Sequence, residues 1–167
     1  MARRLRPVGL DFVAVAPSRL VFAAHVSASP AEVYTALAED VPGWARWFRA
    51  VSLARPLESE GRKRREIRLR GGTRFLETIL AEEPSQRYAY RVDVTNAPGV
   101  RALAEEWQLL PAGTGTVVRW SVAVDAPVPV RLLLAAGRPG MRHAFRGATR
   151  SLDRRIAAMR GGGPHPG

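Results

Sequence analysis

The chain has 167 residues, 46% of them hydrophobic, enough for one compact domain with a sizeable core and too few for a comfortable division into two. It has no cysteine and three scattered histidines, His25, His143 and His165, which excludes disulfide frameworks and thiolate metal sites and leaves no metal or cofactor to expect. The formal charge is +11, yet Lys63 is the only lysine among 26 basic residues. That bias reads as a GC-rich coding sequence, and without a recognisable nucleic-acid motif, sequence-specific nucleic-acid binding is not expected.

Residues 1–18 are basic, punctuated by proline and without clear periodicity, so they are expected to be flexible or loosely packed. They lack the long apolar run and cleavage site of a secretory leader, and no stretch approaches the roughly 20 apolar residues of a membrane span, so a cytoplasmic location is expected. A single domain is predicted over 19–160, followed by a disordered Gly/Pro tail at 161–167.

The first strand is predicted at 19–27, followed by a strong helix start. Ser29 can accept from the amide of Glu32, Glu32 can reach back to the amide of Ser29, and Pro30 sits where a missing amide proton costs nothing. Short helices are predicted at 30–38 and 44–48, the second carrying the pair Trp44 and Trp47. Strands follow at 49–57, 63–70, 73–82, 87–95, 103–110 and 116–125, then a short helix at 130–136 and a long one at 139–160.

The alternation in 87–95 is the clearest guide to sidedness, with Tyr88, Tyr90, Val92 and Val94 on one face and Arg87, Arg91 and Asp93 on the other. The tyrosine face is expected inside. Carried across the loop at Pro84, that face pairs Ala81 with Tyr88, Ile79 with Tyr90, Glu77 with Val92 and Phe75 with Val94, and so turns Glu77 inward. A two-residue turn at Gly71 and Gly72 would then set Arg68 opposite Phe75 and Glu66 opposite Glu77, sending Ile67, Leu69, Leu76 and Leu80 to the outer face. A one-residue bulge in that turn would reverse the assignment of Glu66 and Arg68. In the last hairpin, Val118, Trp120, Val122 and Val124 alternate cleanly, which sets Leu109 opposite Val118 and Trp107 opposite Trp120. In the long helix, Met141, Phe145, Ala148, Leu152, Ile156 and Met159 form one apolar stripe expected to face the sheet, with His143 nearly opposite. Arg138, Arg142, Arg146, Arg150 and Arg154 recur every four residues, which suits either a solvated outer face or a surface for an anionic partner, including peripheral contact with an anionic membrane.

The segments HVSASPAEVYTALAEDVPGWARWF, TRFLETILAEEPSQRYAYRV and EEWQLLPAGTGTVVRWSVAV, in this order and followed by an amphipathic helix, resemble the START-like or SRPBCC superfamily over roughly residues 19–158. The resemblance implies an α+β helix-grip (START/Bet v 1-like) fold, a curved seven-stranded antiparallel sheet wrapped around a long C-terminal helix, and a deep cavity for a hydrophobic molecule. The superfamily includes lipid carriers and polyketide cyclases and dehydrases, so fold alone does not choose among functions.

Two functions follow as expectations. The first is binding of a hydrophobic small molecule, such as a lipid or polyketide, in a cavity lined by Arg68, Phe75, Glu77, Ile79, Tyr88, Tyr90, Val92, Trp107 and Trp120. The alternative is a cyclase or dehydratase in which Glu77 acts as catalytic acid or base and a facing pair Glu66/Glu77 titrates as a unit with at least one raised pKa. The oligomeric state is not set by the sequence.

Overall fold

A computed structural model describes residues 1–161, and the predicted tail lies outside the described residues apart from Gly161. Seven strands form a continuous antiparallel path: β2 (Ser18–Val26), β8 (Gly115–Asp125), β7 (Ala102–Ala112), β6 (Arg87–Thr95), β5 (Arg74–Glu83), β4 (Arg64–Leu69) and β3 (Val51–Leu57), in that spatial order. An eighth strand of two residues, β1 (Arg3–Arg4), pairs with Thr95 and Val94 of β6.

Between β2 and β3 the chain makes α2 (Pro30–Tyr34), a wide π turn (Thr35–Glu39), a 3-10 turn (Val41–Gly43) and α3 (Trp44–Trp47). The capping box forms as the residue pattern requires: the Ser29 hydroxyl accepts from the Glu32 amide at 3.4 Å and the Glu32 carboxylate accepts from the Ser29 amide at 2.9 Å. After β8 come α4 (Val128–Ala136) and the long α5 (Arg138–Gly161), which lies against the inner face of the sheet. Phe145 of α5 is fully buried between Phe22, Trp107 and Trp120, with ring centroids 5.9–6.0 Å away. Asp153 ties the same helix to the start of α2 by accepting from the amides of Ser27 and Ala28, both at 3.0 Å. The expected stripe holds at Phe145, Ala148, Leu152 and Ile156, but Met159 is 60% exposed, because the last turns of α5 run beyond the buried core.

Four side chains of residues 1–17, Leu5, Val8, Phe12 and Val13, are buried against the rest of the molecule, while most of the segment, from Met1 to Arg4 and at Arg6, Pro7, Gly9, Asp11, Ala14, Val15 and Pro17, is exposed. Ala102, Ala104 and Ala123, all fully buried, leave a shallow apolar strip on the outer face of β7 and β8, and Val8, Phe12 and Val13 fill it, the last two within the short helix α1 (Phe12–Val15). The segment is irregular rather than periodic because it follows a strip of small side chains, with Leu5 and Arg6 donating their amides to Asp93 and Arg101 at 2.9 Å.

The turn between β4 and β5 decides which residues face the helix. Leu69 donates to the Thr73 carbonyl at 2.8 Å, so the loop has three residues, Arg70 to Gly72, with Gly72 in the left-handed region at φ 84°. The extra residue shifts the expected register by one: Arg65 stands opposite Glu77 and Ile67 opposite Phe75. Arg68 and Glu66 are thereby turned to the outer face, correcting the two-residue reading. Ile67 and Leu69 reach the inside, and this burial of two aliphatic side chains is the physical reason for the shift. The pairs Ile79 with Tyr90 and Glu77 with Val92 form as expected, whereas bulges on either side set Ala81 opposite Ala89 and Phe75 opposite Thr95. Trp107 pairs with Trp120 and Leu109 with Val118, as the alternation predicted.

Candidate functional site

Between the inner face of the sheet, α3, α4 and α5 lies a cavity of about 390 Å³. Its wall is largely apolar, contributed by Trp44 and Phe48 beside α3, Ile67, Leu69, Phe75 and Trp120 on the sheet, and Leu134, Met141 and Ala144 on the helices. Three acidic or basic side chains interrupt it, Arg65, Glu77 and Glu105, beside the phenol of Tyr90.

Arg65 is 1% exposed and Glu77 2%, and the Arg65 Nε donates to Glu77 Oε2 at 2.6 Å. The guanidinium carbon lies 4.1 Å from the ring centre of Tyr90, 4.3 Å from Trp44 and 5.2 Å from Tyr88, so an aromatic cage holds the cation where water does not. Both terminal nitrogens of the guanidinium are buried without a hydrogen-bond partner. A buried donor in that state has hydrogen-bonding capacity unmet, and because neither nitrogen presents accessible surface, an acceptor oxygen reaches it only when the surrounding side chains shift.

The third group, Glu105, accepts from the Tyr90 hydroxyl at 2.7 Å and from Trp120 Nε1 at 2.9 Å, while Trp107 Nε1 donates to the Tyr90 oxygen at 3.1 Å. Its accessible surface belongs to the cavity, deep beneath the molecular surface. Burial therefore raises its pKa against the two hydrogen bonds that favour the carboxylate. Burial likewise pushes Glu77 up to about 7, the Arg65 charge pulling the other way and the Glu105 charge reinforcing the rise. Burial opposes the charge on Arg65, but Glu77 and the tyrosines outweigh it, and the guanidinium stays protonated. Tyr88 is raised to about 12 by burial, so both cage phenols are neutral donors at physiological pH.

Of the residues expected to line the cavity, Phe75, Glu77, Tyr90 and Trp120 do so. Ile79 and Tyr88 border a second hollow of about 380 Å³ near the β3–β4 connection, which also touches Arg65. Val92 and Trp107 are 1% exposed and belong to the packed core. Arg68 lies outside, its side chain 49% exposed. The expected carboxylate pair Glu66/Glu77 is corrected with it: Glu66 accepts from Arg55 at 2.8 Å and Arg68 at 2.7 Å on the outer face, with Arg74 at 2.7 Å, and these hydrogen bonds overcome burial and hold its pKa at about 2. The carboxylate that shares the cavity with Glu77 is Glu105. Its signal was present in the sequence, because the alternation that turns Trp107 and Leu109 inward turns Glu105 inward too. Arg65 had no such signal, since its side depends on one residue of turn length.

An antiparallel sheet gripping a C-terminal helix over an apolar cavity is the helix-grip architecture of the START and Bet v 1 proteins. The chain belongs to the polyketide cyclase/dehydrase and lipid transport family, which matches residues 19–157. An uncharacterized protein of Mycobacterium tuberculosis is 28% identical over 158 residues, covering 90% of this chain and 94% of the relative. Among solved structures, protein TTHA0849 from Thermus thermophilus superposes with a TM-score of 0.66 at 22% identity, covering 85% of this chain and 99% of that one. A START superfamily protein from Mycobacterium smegmatis gives 0.64 at 13% identity, covering 84% and 98%. The di-domain aromatase/cyclase BexL gives 0.69 at 19% identity, covering 81% of this chain and 46% of its own. At these identities the likeness to solved structures concerns the fold. None of the helices among the described residues is long and apolar enough to cross a membrane.

Proposed function

We propose that the protein binds a hydrophobic small molecule carrying a hydrogen-bond-accepting oxygen, such as a carboxylate, phenolate or conjugated carbonyl, with that oxygen on Arg65 and the carbon skeleton along Phe48, Ile67, Phe75 and Met141. The reading is carried by the two unpartnered guanidinium nitrogens of Arg65, a residue in the wall of a largely apolar cavity whose other acidic or basic members are Glu77 and Glu105. Pockets of this kind take affinity from their apolar walls and orientation from a few placed polar groups. A charged hydrogen bond contributes about 1.5–3 kcal/mol, so removing the guanidinium weakens an oxygen-bearing ligand by roughly 10- to 150-fold.

The test is a titration of delipidated protein with a panel of fatty acids, aromatic polyketides and flavonoids, read by quenching of the buried tryptophans. Saturable binding is expected, lost to that extent in Arg65→Met. The double variant Arg65→Met/Glu77→Gln, which leaves no lone buried charge, should lose it equally. Absence of saturable binding by every member of the panel, or equal affinity in the double variant, would overturn the assignment.

A second reading, acid–base catalysis of cyclisation or dehydration, is favoured by one observation: Glu77 lines the cavity with its pKa pushed up to about 7. A carboxylate there takes a proton from the carbon next to a carbonyl held on Arg65, the C–H electron pair moves onto the carbonyl oxygen, and the enolate is stabilised by the guanidinium. Attack of the enolate carbon on a second carbonyl of the same chain closes a ring, and the new alkoxide is protonated by Glu77 or Glu105; dehydration then releases water. Turnover of a poly-β-ketone by the wild type that disappears in Glu77→Gln would select this reading over simple carriage, and turnover retained in the variant would remove Glu77 from the chemistry.

A further inference from the structure

The chain from Ala126 to Leu152 contains five arginines and not one aspartate or glutamate. Four of them, Arg138, Arg142, Arg146 and Arg150, line a surface groove of about 580 Å³ with Ala135, Pro139, His143 and Gly147, and all four are exposed. Among the described residues none of these four makes an ion pair, although most other charges of the molecule do. Immediately before them stands α4, a helix with no buried residue. Its Val130 packs where a side chain on Gly99 would have to be, and Leu134 reaches into the cavity. Val128, Leu132 and Leu133 point elsewhere, 55%, 65% and 72% exposed, and they are the main concentration of large apolar side chains on the surface.

A basic groove continuous with an exposed leucine face matches one class of partner. We infer that α4 and the first half of α5 form a docking surface for an anionic lipid bilayer, with Val128, Leu132 and Leu133 entering the acyl boundary and the arginines meeting the phosphates of the headgroups. Nucleic acid would satisfy the arginines but leave the leucines in water. A second copy joined through this face would bring two unpaired arginine ridges together. The position of the surface also has a consequence for the cavity, since Leu134, Met141 and Ala144 of the same two helices form part of its wall. A ligand leaving a bilayer would meet α4 first. Docking itself does not require the ligand assignment made above.

The experiment is co-sedimentation of the full chain with vesicles of phosphatidylcholine alone and of phosphatidylcholine mixed with phosphatidylglycerol. Binding to the mixed vesicles only is expected, falling at least tenfold as salt rises and the screening length shrinks from about 10 Å at 0.1 M to about 3 Å at 1 M. Each arginine near an anionic surface is worth about a fivefold factor, so Arg142→Gln/Arg146→Gln should weaken binding by about 25-fold. Leu132→Ser/Leu133→Ser should weaken it at least tenfold, from the apolar area no longer transferred. Both pairs are exposed and should leave the melting temperature unchanged. Equal binding to the two vesicle types, no binding at low salt, or unaltered binding by either double variant would overturn the inference. So would a dimer in sedimentation velocity that the leucine variant disperses, or retention of DNA in place of vesicles with sensitivity to the arginine variant alone. The same variants titrated with ligand in vesicle-free buffer read the cavity separately, so failure of docking and failure of ligand binding remain distinct results.

Discussion

Replacing Glu77 with glutamine should change the way stability depends on pH. In the folded protein burial pushes this carboxyl up to about 7, against an ordinary value of 4.5. Between those two pH values the folded state holds a proton that the unfolded state has released, so the unfolding free energy falls as pH rises. The contribution is fully retained below 4.5 and lost by the time pH passes 7. At about 1.36 kcal/mol per pH unit, the gap amounts to about 3 kcal/mol. Glutamine carries no titration, so Glu77→Gln loses this component while keeping nearly the same shape. The stability of wild type minus variant should therefore decline by about 3 kcal/mol from pH 4.5 to pH 8, whatever constant offset the amide introduces beside Arg65. Urea unfolding followed by tryptophan fluorescence measures it directly, because Trp44, Trp47, Trp107 and Trp120 are all at most 8% exposed in the native state. Parallel pH profiles for the two proteins would refute the argument. A difference that grows with pH would show that the pull of Arg65 on the carboxylate exceeds the burial opposing it.

Glu66 should behave with the opposite sign, since its arginine partners hold it at about 2. Its stabilisation is present above 4.5 and lost as pH falls toward 2, and because those arginines are about half exposed, the gap between wild type and Glu66→Gln should close by only about 1–2 kcal/mol over that range in acid unfolding curves. Phe145→Ala removes a fully buried ring touching Phe22, Trp107 and Trp120, and should cost about 3–5 kcal/mol, seen calorimetrically as a drop of about 6–20 °C. Gly115→Ala would set a methyl group 2.3 Å from the backbone oxygen of Val26, which cannot rotate away, so a loss of about 1–3 kcal/mol is expected in urea unfolding even though the position needs no left-handed backbone.

Local residue preferences and the structure agree where a local rule and the global fold ask for the same thing. Ser29, Pro30 and Glu32 begin a helix by satisfying their own amides, and no distant contact is needed to decide that. The strict alternation through Tyr88, Tyr90, Val118 and Trp120 has one sidedness that buries its apolar members, and Phe145, Leu152 and Ile156 recur at the spacing of a single buried helical stripe. Glu77 keeps the side expected from the tyrosine strand although the loop sets Ala81 opposite Ala89, one residue off the expected pairing, because the bulge between Ile79 and Ala81 restores the register at Ile79 and Glu77.

Arg65 is the instructive failure. Arg65 and Arg68 are indistinguishable by composition, and a two- or three-residue turn at Arg70 to Gly72 decides which guanidinium enters the cavity. A slip of one residue exchanges the two faces of a strand, so a small local preference controls a large change in burial. What settles it is the sum of distant contacts: Ile67 and Leu69 gain the core, the cage of Trp44, Tyr88 and Tyr90 receives Arg65, and Arg55, Arg68 and Arg74 gather around Glu66 outside. The cover provided by Phe12 and Val13 has the same origin, since the alanine strip on which they lie exists only once β7 and β8 are paired. The sequence by itself thus determined the seven long strands, the helices from α2 onward and their order, through preferences that act within a few residues along the chain, and the likeness of that order to a known superfamily implied the helix-gripping sheet. The identity of the charged group inside the cavity was decided only by the tertiary structure, because it depends on strand register, and register is fixed by the burial of side chains far apart in the chain.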